Sequence, residues 1–286
     1  MMEPILKTFQ HSGNLGDIIY SLPTIIALGG GVLYIRIGTG SPELSSKAPA
    51  PNPMTEPMAL QVIELLKTQP YLTAIRLYNN ERVDYNLDMF REHQAVMTNH
   101  IAKSHLDAFG VNYNLALAWL QDISPLYIND IVISRTKRNL STLNKFNWHV
   151  LSKYEEKCIF IGFEDEYEEF KACTGLNIER YPAGSILEIA RVIKGSKLFM
   201  GNQSLGFALA EAMKHPRVLE VYYVAPNCIP QSLNGHIKLS KKMVRNILNK
   251  KQKRFLPPRF DHLLASLRNF LFIFLIKLRK KLFYLR

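Results

Sequence analysis

Apolar and polar positions along this chain alternate in short blocks, and the spacing changes from block to block. Residues 4–10 (PILKTFQ) predict a short strand. A polar, glycine-bearing loop follows at His11–Gly16, then a helical pattern from Asp17 to about Ala27. Pro23 lies inside that pattern and predicts a kink or break. Gly31–Ile37 is β-branched and apolar and predicts a second strand; Thr73–Asn79 predicts a third. Between them, Gly38–Pro57 is rich in Gly, Ser and Pro and predicts a long surface loop. Thr55–Gln69 is helical, with Thr55 placed as N-cap and Pro57 in the first turn. Asn99–Val111 and Asn112–Ile123 both predict helices.

The pattern restarts after residues 124–129. Strands are expected at Asp130–Arg138, Lys157–Phe163, Lys197–Asn202 and Arg217–Tyr223. Helices are expected from Glu164, over Gly184–Gly195 and over Gln203–His215. Strand and helix alternate every 25 to 35 residues or roughly so, the rhythm of parallel, doubly wound sheets. The reading is α/β: two Rossmann-like domains facing a cleft, residues 1–126 and 127–237, with a tail over 238–286.

Composition sharpens this picture at one point. Of 36 Lys and Arg, 15 lie from Lys238 onward, against one acid there, Asp261. The body is therefore close to neutral and the tail strongly cationic. A nucleic-acid binder would place its basic patch on the body, so nucleic acid is not an expected partner. The three cysteines, Cys158, Cys173 and Cys228, make no metal spacing and read as buried thiols in a reducing compartment.

Candidate chemistry sits in two loops. In His11–Asp17, Gly13 and Gly16 permit close backbone approach, Asn14 precedes the helix, and the first-turn N–H groups offer an anion site. The spacing fits neither a dinucleotide fingerprint nor a phosphate-binding Gly-Lys-Ser/Thr loop. Asp17 is either a helix cap or a reagent, and its position allows both. The second loop, Asn202–Gly206, follows a strand and opens a helix, where open α/β sheets bind ligands. Asn202, Gln203 and Ser204 would present short polar groups there. Glu211, among alanines on that helix, needs a partner, and ribose hydroxyls would serve.

GNLGDIIYSLPTI resembles the N-terminal signature of glycosyltransferase family 9, the ADP-heptose:lipopolysaccharide heptosyltransferases. KLFMGNQSLGFALAEAM resembles that family's late nucleotide-binding turn, and KCIFIGFEDEYEEF its strand-plus-glutamate segment. The resemblance implies a GT-B fold, with the donor nucleotide on the second domain and the acceptor on the first. It implies an inverting, metal-independent transfer of a sugar from a nucleotide-sugar donor to a glycan or lipid-linked acceptor, with no cofactor beyond the donor. Asp17 falls on the family's catalytic aspartate, a general base for the acceptor hydroxyl. Ser204 falls on the turn hydroxyl, Glu166 after Gly162 near a nucleoside contact, and Arg135, Lys137 and Arg138 near a phosphate contact. The family's turn aspartate, glycine and histidine are replaced by Gln203, Leu205 and Ala208. The alternatives are a non-catalytic nucleotide-sugar-binding protein and a nucleotide-sugar epimerase on the same fold. His11 is expected to be an exposed loop residue or an aid to binding, and Trp119 to be core.

The tail changes where such a protein would work. Leu263, Leu267, Phe270, Phe274, Leu278 and Leu282 recur at helical spacing. From Leu263 to Leu278 a helix would span roughly 24 Å at about 1.5 Å per residue, short of a hydrocarbon core of about 30 Å. The expectation is an amphipathic helix lying on an anionic membrane surface, in a cytoplasmic, peripherally membrane-associated protein. A helix docked on the domains is the alternative.

Overall fold

The computed structural model describes residues 6–38, 53–92, 99–141, 146–249 and 258–283. The first half runs β1 (Thr8–His11), α1 (Leu15–Ala27), β2 (Gly31–Ile35), α2 (Glu56–Leu66), β3 (Leu72–Leu77), β4 (Tyr85–Asn86) and α3 (Ile101–Ala108). A 3-10 turn at Leu87–Glu92 follows β4. The second half runs β5 (Ile131–Ser134), β6 (Cys158–Ile161), α4 (Glu164–Thr174), β7 (Glu179–Tyr181), α5 (Ile186–Gly195), β8 (Leu198–Asn202), α6 (Leu205–Ala212), β9 (Arg217–Glu220) and β10 (Gly235–His236). Two helices, α7 (Lys241–Asn249) and α8 (Pro258–Phe283), close the described chain.

The strands form two sheets, each parallel throughout, in the orders β3-β2-β1-β4 and β10-β9-β8-β5-β6-β7. The chain reverses its direction of travel between β1 and β4 in the first sheet, and between β5 and β8 in the second. Those two switch points are where crevices open beyond the strand ends. One apolar cluster joins the sheets, reaching from Phe9, Ile18 and Leu22 to Phe199, Phe207 and Leu209. A second, containing Phe160 and Phe170, fills the far side of the C-terminal sheet.

Three expectations change here. Pro23 does not break its helix: α1 runs through it without interruption. A proline at position 23 leaves the Ile19 carbonyl without its helical donor. The indole Nε1 of Trp119 donates to that oxygen instead, at 3.0 Å. Residues 112–123 form turns rather than a helix. The backbone N–H groups of Trp119 and Leu120 donate to the Ala212 carbonyl at the end of α6, at 2.9 and 3.2 Å. Tertiary docking thus replaces the helical hydrogen bonds while burying Leu115, Trp119 and Leu120. The third change is in the thiols: Cys158 and Cys228 are buried, but Cys173 is exposed. Most of the expected loop 38–57 lies outside the described residues; Gly38 and Met54 close its base by two mutual backbone hydrogen bonds.

The tail takes the docked arrangement. Helix α8 is docked on the C-terminal half by Ala265, Phe272 and Ile276 together with polar groups. Arg268 donates to the carbonyls of Gly235 and Pro230, both at 2.6 Å. Asn269 donates to the Pro230 carbonyl at 3.0 Å, and Asp261 accepts the Leu233 N–H at 2.6 Å. Leu263, Leu267, Phe270, Phe274 and Leu278 are exposed, while Leu282 has no described side chain. Among the described residues, no helix is long and apolar enough to cross a membrane.

Candidate functional site

At the first switch point, β1 ends in His11 and runs through Ser12 and Gly13 into α1. Gly13 has φ +121°, a conformation that favours glycine. Its carbonyl accepts from Arg91 Nη2 at 2.8 Å. The same nitrogen donates to Asp17 Oδ2 at 2.6 Å, and the Asn14 amide donates to that oxygen at 3.2 Å. Asp17 is nearly buried, and Arg91 and Asn14 both meet its Oδ2. Arg91 comes from the 3-10 turn after β4, and its guanidinium lies 4.7 Å from the Phe90 ring centroid.

His11 is fully buried, not an exposed loop residue. Burial pulls its pKa down, against the Asp88 carboxylate, which pulls it up. The Gly13 N–H donates to His11 Nδ1 at 3.1 Å, which assigns the neutral ring's proton to Nε2. The approach of Nδ1 to Asp88 Oδ1, at 3.3 Å, is therefore a contact and not an ion pair. Asp88 instead accepts the Ser12 N–H at 3.2 Å.

At the second switch point, the loop after β5 meets the turn after β8. Asn202 is buried, and its side chain spans the gap rather than facing a ligand. Its oxygen accepts the Thr136 N–H at 3.1 Å, and its amide donates to the carbonyls of Thr136 and Arg138 at 3.0 and 2.5 Å. Gln203 is equally committed. It donates to the Ala225 carbonyl at 2.9 Å and accepts the Tyr222 N–H at 2.9 Å. Both residues hold the turn in place, so the polar groups it offers are Ser204 and backbone N–H. Ser204 is the N-cap of α6, but its hydroxyl makes no capping bond. Gly206 is tightly enclosed: a Cβ there would sit 3.1 Å from side-chain atoms of Phe199 and Ser134.

The cations divide unevenly. Arg135 forms a two-point pair with Glu220, at 2.7 and 3.2 Å, largely out of solvent. Its charge is already matched, and it is not the free phosphate contact the sequence suggested. Lys137 pairs with exposed Asp165 at 2.8 Å, which raises its pKa. Arg138 is exposed beside them. Glu166 accepts the Phe163 N–H at 3.1 Å at the start of α4, next to Gly162. Partial burial raises its pKa.

Glu211 is not available to a ribose. It is fully buried and pairs with Arg217 and Lys214, and it accepts the Gln231 N–H at 3.1 Å. Burial pushes its carboxyl up, but the Arg217 and Lys214 charges outweigh that and hold it at about 2. The Lys214 ammonium lies 4.0 Å from the Trp119 ring centroid.

The two switch points meet through small residues. A Cβ on Gly16 would lie 3.8 Å from Ala208 Cβ. Gly16 adjoins Asp17, and Ala208 lies one helical turn after Ser204, donating its N–H to the Ser204 carbonyl at 3.0 Å. The loop after β9 adds a further tie: the Ile101 N–H donates to the Asn227 carbonyl at 2.9 Å. Helices α1 and α6 thus pack together near Gly16 and Ala208.

Comparison with solved structures gives the fold a relative. E. coli heptosyltransferase WaaC with ADP aligns over 84% of this chain and 98% of its own, with 10% identity and a TM-score of 0.54. The chain has a GT-B-like heptosyltransferase fold. A second structure with this fold is the dodecameric iron-containing heptosyltransferase TibC, from enterotoxigenic E. coli H10407, in complex with ADP-D-beta-D-heptose. It aligns over 78% of this chain and 61% of its own, with 13% identity and a TM-score of 0.51. No protein-family model matches the sequence, and no curated protein does. The heptosyltransferase fold accounts for the two parallel sheets and their connection.

Sequence reasoning missed Arg91, Asp88 and Glu220. Arg91 stands 74 residues from Asp17 in the chain, and no local spacing announces the pair. Among the described residues, no group of three or more His, Cys, Asp and Glu is arranged to hold a metal ion.

Proposed function

We propose that this protein is a glycosyltransferase that moves a sugar from a nucleotide-sugar donor to a glycan or lipid-linked acceptor, with inversion and without a metal. The observation that supports this reading is the approach of α1 and α6 at Gly16 and Ala208, the helices that carry Asp17 and follow Ser204. Oδ2 of Asp17 is held by Arg91 and Asn14, so Oδ1 takes the proton of the acceptor hydroxyl. The acceptor oxygen bonds to the anomeric carbon as the bond from that carbon to the diphosphate breaks. The electron pair leaves with the nucleoside diphosphate. The first-turn N–H groups of α6, with Ser204, Arg138 and Lys137, stabilise the charge that develops on the leaving group. Glu166 lies on the rim for the nucleoside.

ADP-sugars are the first donors to test, because the two related structures hold ADP and ADP-heptose. A lipid-linked acceptor at the cytoplasmic face of a membrane fits the cationic tail. The test is a panel of nucleotide sugars scored first for thermal stabilisation, then for release of the nucleoside diphosphate with a glycan acceptor. Stabilisation without release, with any acceptor tried, overturns transfer in favour of a binding protein. The neutralisation of Arg135 by Glu220 is the observation that favours that second reading.

A further inference from the structure

Amphipathic helices pack their apolar stripe inward and leave polar residues to water. Helix α8 is mounted the other way. The side that meets the protein carries Asp261, Ala265, Arg268, Asn269, Phe272 and Ile276, in steps of three and four. Its fixing points are backbone carbonyls of Gly235 and Pro230 and the N–H of Leu233. The opposite side is an apolar stripe from Phe260 to Leu278, along which Leu263, Leu267, Phe270, Leu271, Phe274 and Leu275 are each more than half exposed. An uninterrupted apolar strip of that length on a protein surface marks a place of contact.

Charge decides what covers it. Chain residues 238–286 hold fifteen Lys and Arg and a single acid. That acid, Asp261, is turned inward, where it accepts the Leu233 N–H. A second copy seated on the stripe would bring two cationic segments together with no carboxylate between them. Anionic lipid head groups supply the missing charge, and acyl chains the apolar partner. We propose that α8 is a bilayer-docking ridge, held by Arg268 and Asn269 so that its Phe and Leu stripe enters an anionic membrane surface lengthwise. The helix lies on the membrane and does not span it.

The test uses the full chain and no donor, so its outcome is independent of glycosyl transfer. The protein is sedimented with vesicles of phosphatidylcholine alone or mixed with phosphatidylglycerol. It is expected to pellet with the anionic vesicles at least about tenfold more strongly, and to be released as salt screens the head groups. Phe270→Ser combined with Phe274→Ser removes two outward rings and is expected to weaken binding about tenfold or more with an unchanged melting temperature. A Leu271→Trp protein reports separately: its emission shifts to the blue on anionic vesicles. Equal binding to both vesicles, or absence of the emission shift, overturns the proposal. So does a concentration-dependent dimer that the Phe270/Phe274 double variant abolishes, since that assigns the ridge to a second copy.

Discussion

The indole of Trp119 completes a helix it does not belong to, donating to the Ile19 carbonyl that Pro23 leaves without a helical partner. The helix so completed carries Asp17 in its first turn and continues through Pro23.

That arrangement predicts a coupling. Trp119→Phe keeps most of the buried ring but strands a carbonyl, at a cost of about 1–3 kcal/mol. In a Pro23→Ala background residue 23 regains its N–H, and the same Trp119→Phe change is expected to cost measurably less. Urea unfolding of the four proteins gives the interaction energy directly. Additive costs would show that the indole bond does not stand in for the helical one.

The second prediction concerns Asp17. Asp17→Asn is expected to retain donor binding and lose roughly 10²–10⁴-fold in transfer rate, the range set by a positioned base. Arg91→Met leaves Asp17 and the Gly13 carbonyl without their shared donor. Breaking so buried a pair is expected to cost about 3–5 kcal/mol. Transfer measured on the folded Arg91→Met protein should fall as well, through kcat more than KM. An unaltered transfer rate would reduce Arg91 to a structural strut.

Glu211 tests the difference between the residue type and its place. A ribose ligand would make Glu211→Gln a binding variant. The structure makes it a stability variant, because the change leaves Arg217 buried with an unmatched charge. A loss of about 3–5 kcal/mol is expected in denaturant unfolding, with unchanged nucleotide affinity in calorimetry of the folded protein. The reverse outcome would restore the ribose contact.

The fourth prediction is acid instability. His11, His100, His105 and His215 are buried, and desolvation lowers the pKa of each, His100 to about 4 and His215 to about 3. Unfolded, such rings take up protons near pH 6.5. Between that pH and the folded values the unfolded chain binds more protons, so stability rises with pH. It is expected to be complete above about pH 6.5 and to fall steadily toward pH 4. His100 alone contributes on the order of 3 kcal/mol. Melting temperatures from pH 7.5 down to 4 give the curve, and a flat profile would mean that the rings are charged or hydrated in the native state.

How far the chain could be read follows from where its information lies. Strands such as Cys158–Ile161 and helices such as Glu164–Thr174 announce themselves, the first as a short run of consecutive buried apolar residues and the second by its acidic first turn and the Gly175 that ends it. The short strands Tyr85–Asn86, Glu179–Tyr181 and Gly235–His236 have no period to detect. The order of motifs indicated the heptosyltransferase fold. Partners were harder. Asn202, Gln203 and Glu211 are polar residues at a plausible ligand turn, and each is occupied by groups that folding brings from elsewhere in the chain. The tail's apolar period was legible, but not its outward orientation, which depends on carbonyls of Pro230 and Gly235.

Gly16 and Ala208 have one more consequence. Where two helices meet through side chains as small as these, a methyl group on Gly16 still fits at van der Waals distance from Ala208, and a much larger side chain does not. Room between α1 and α6 is therefore finite at that point, and a bulky ring at position 208 would have to push the two helices apart.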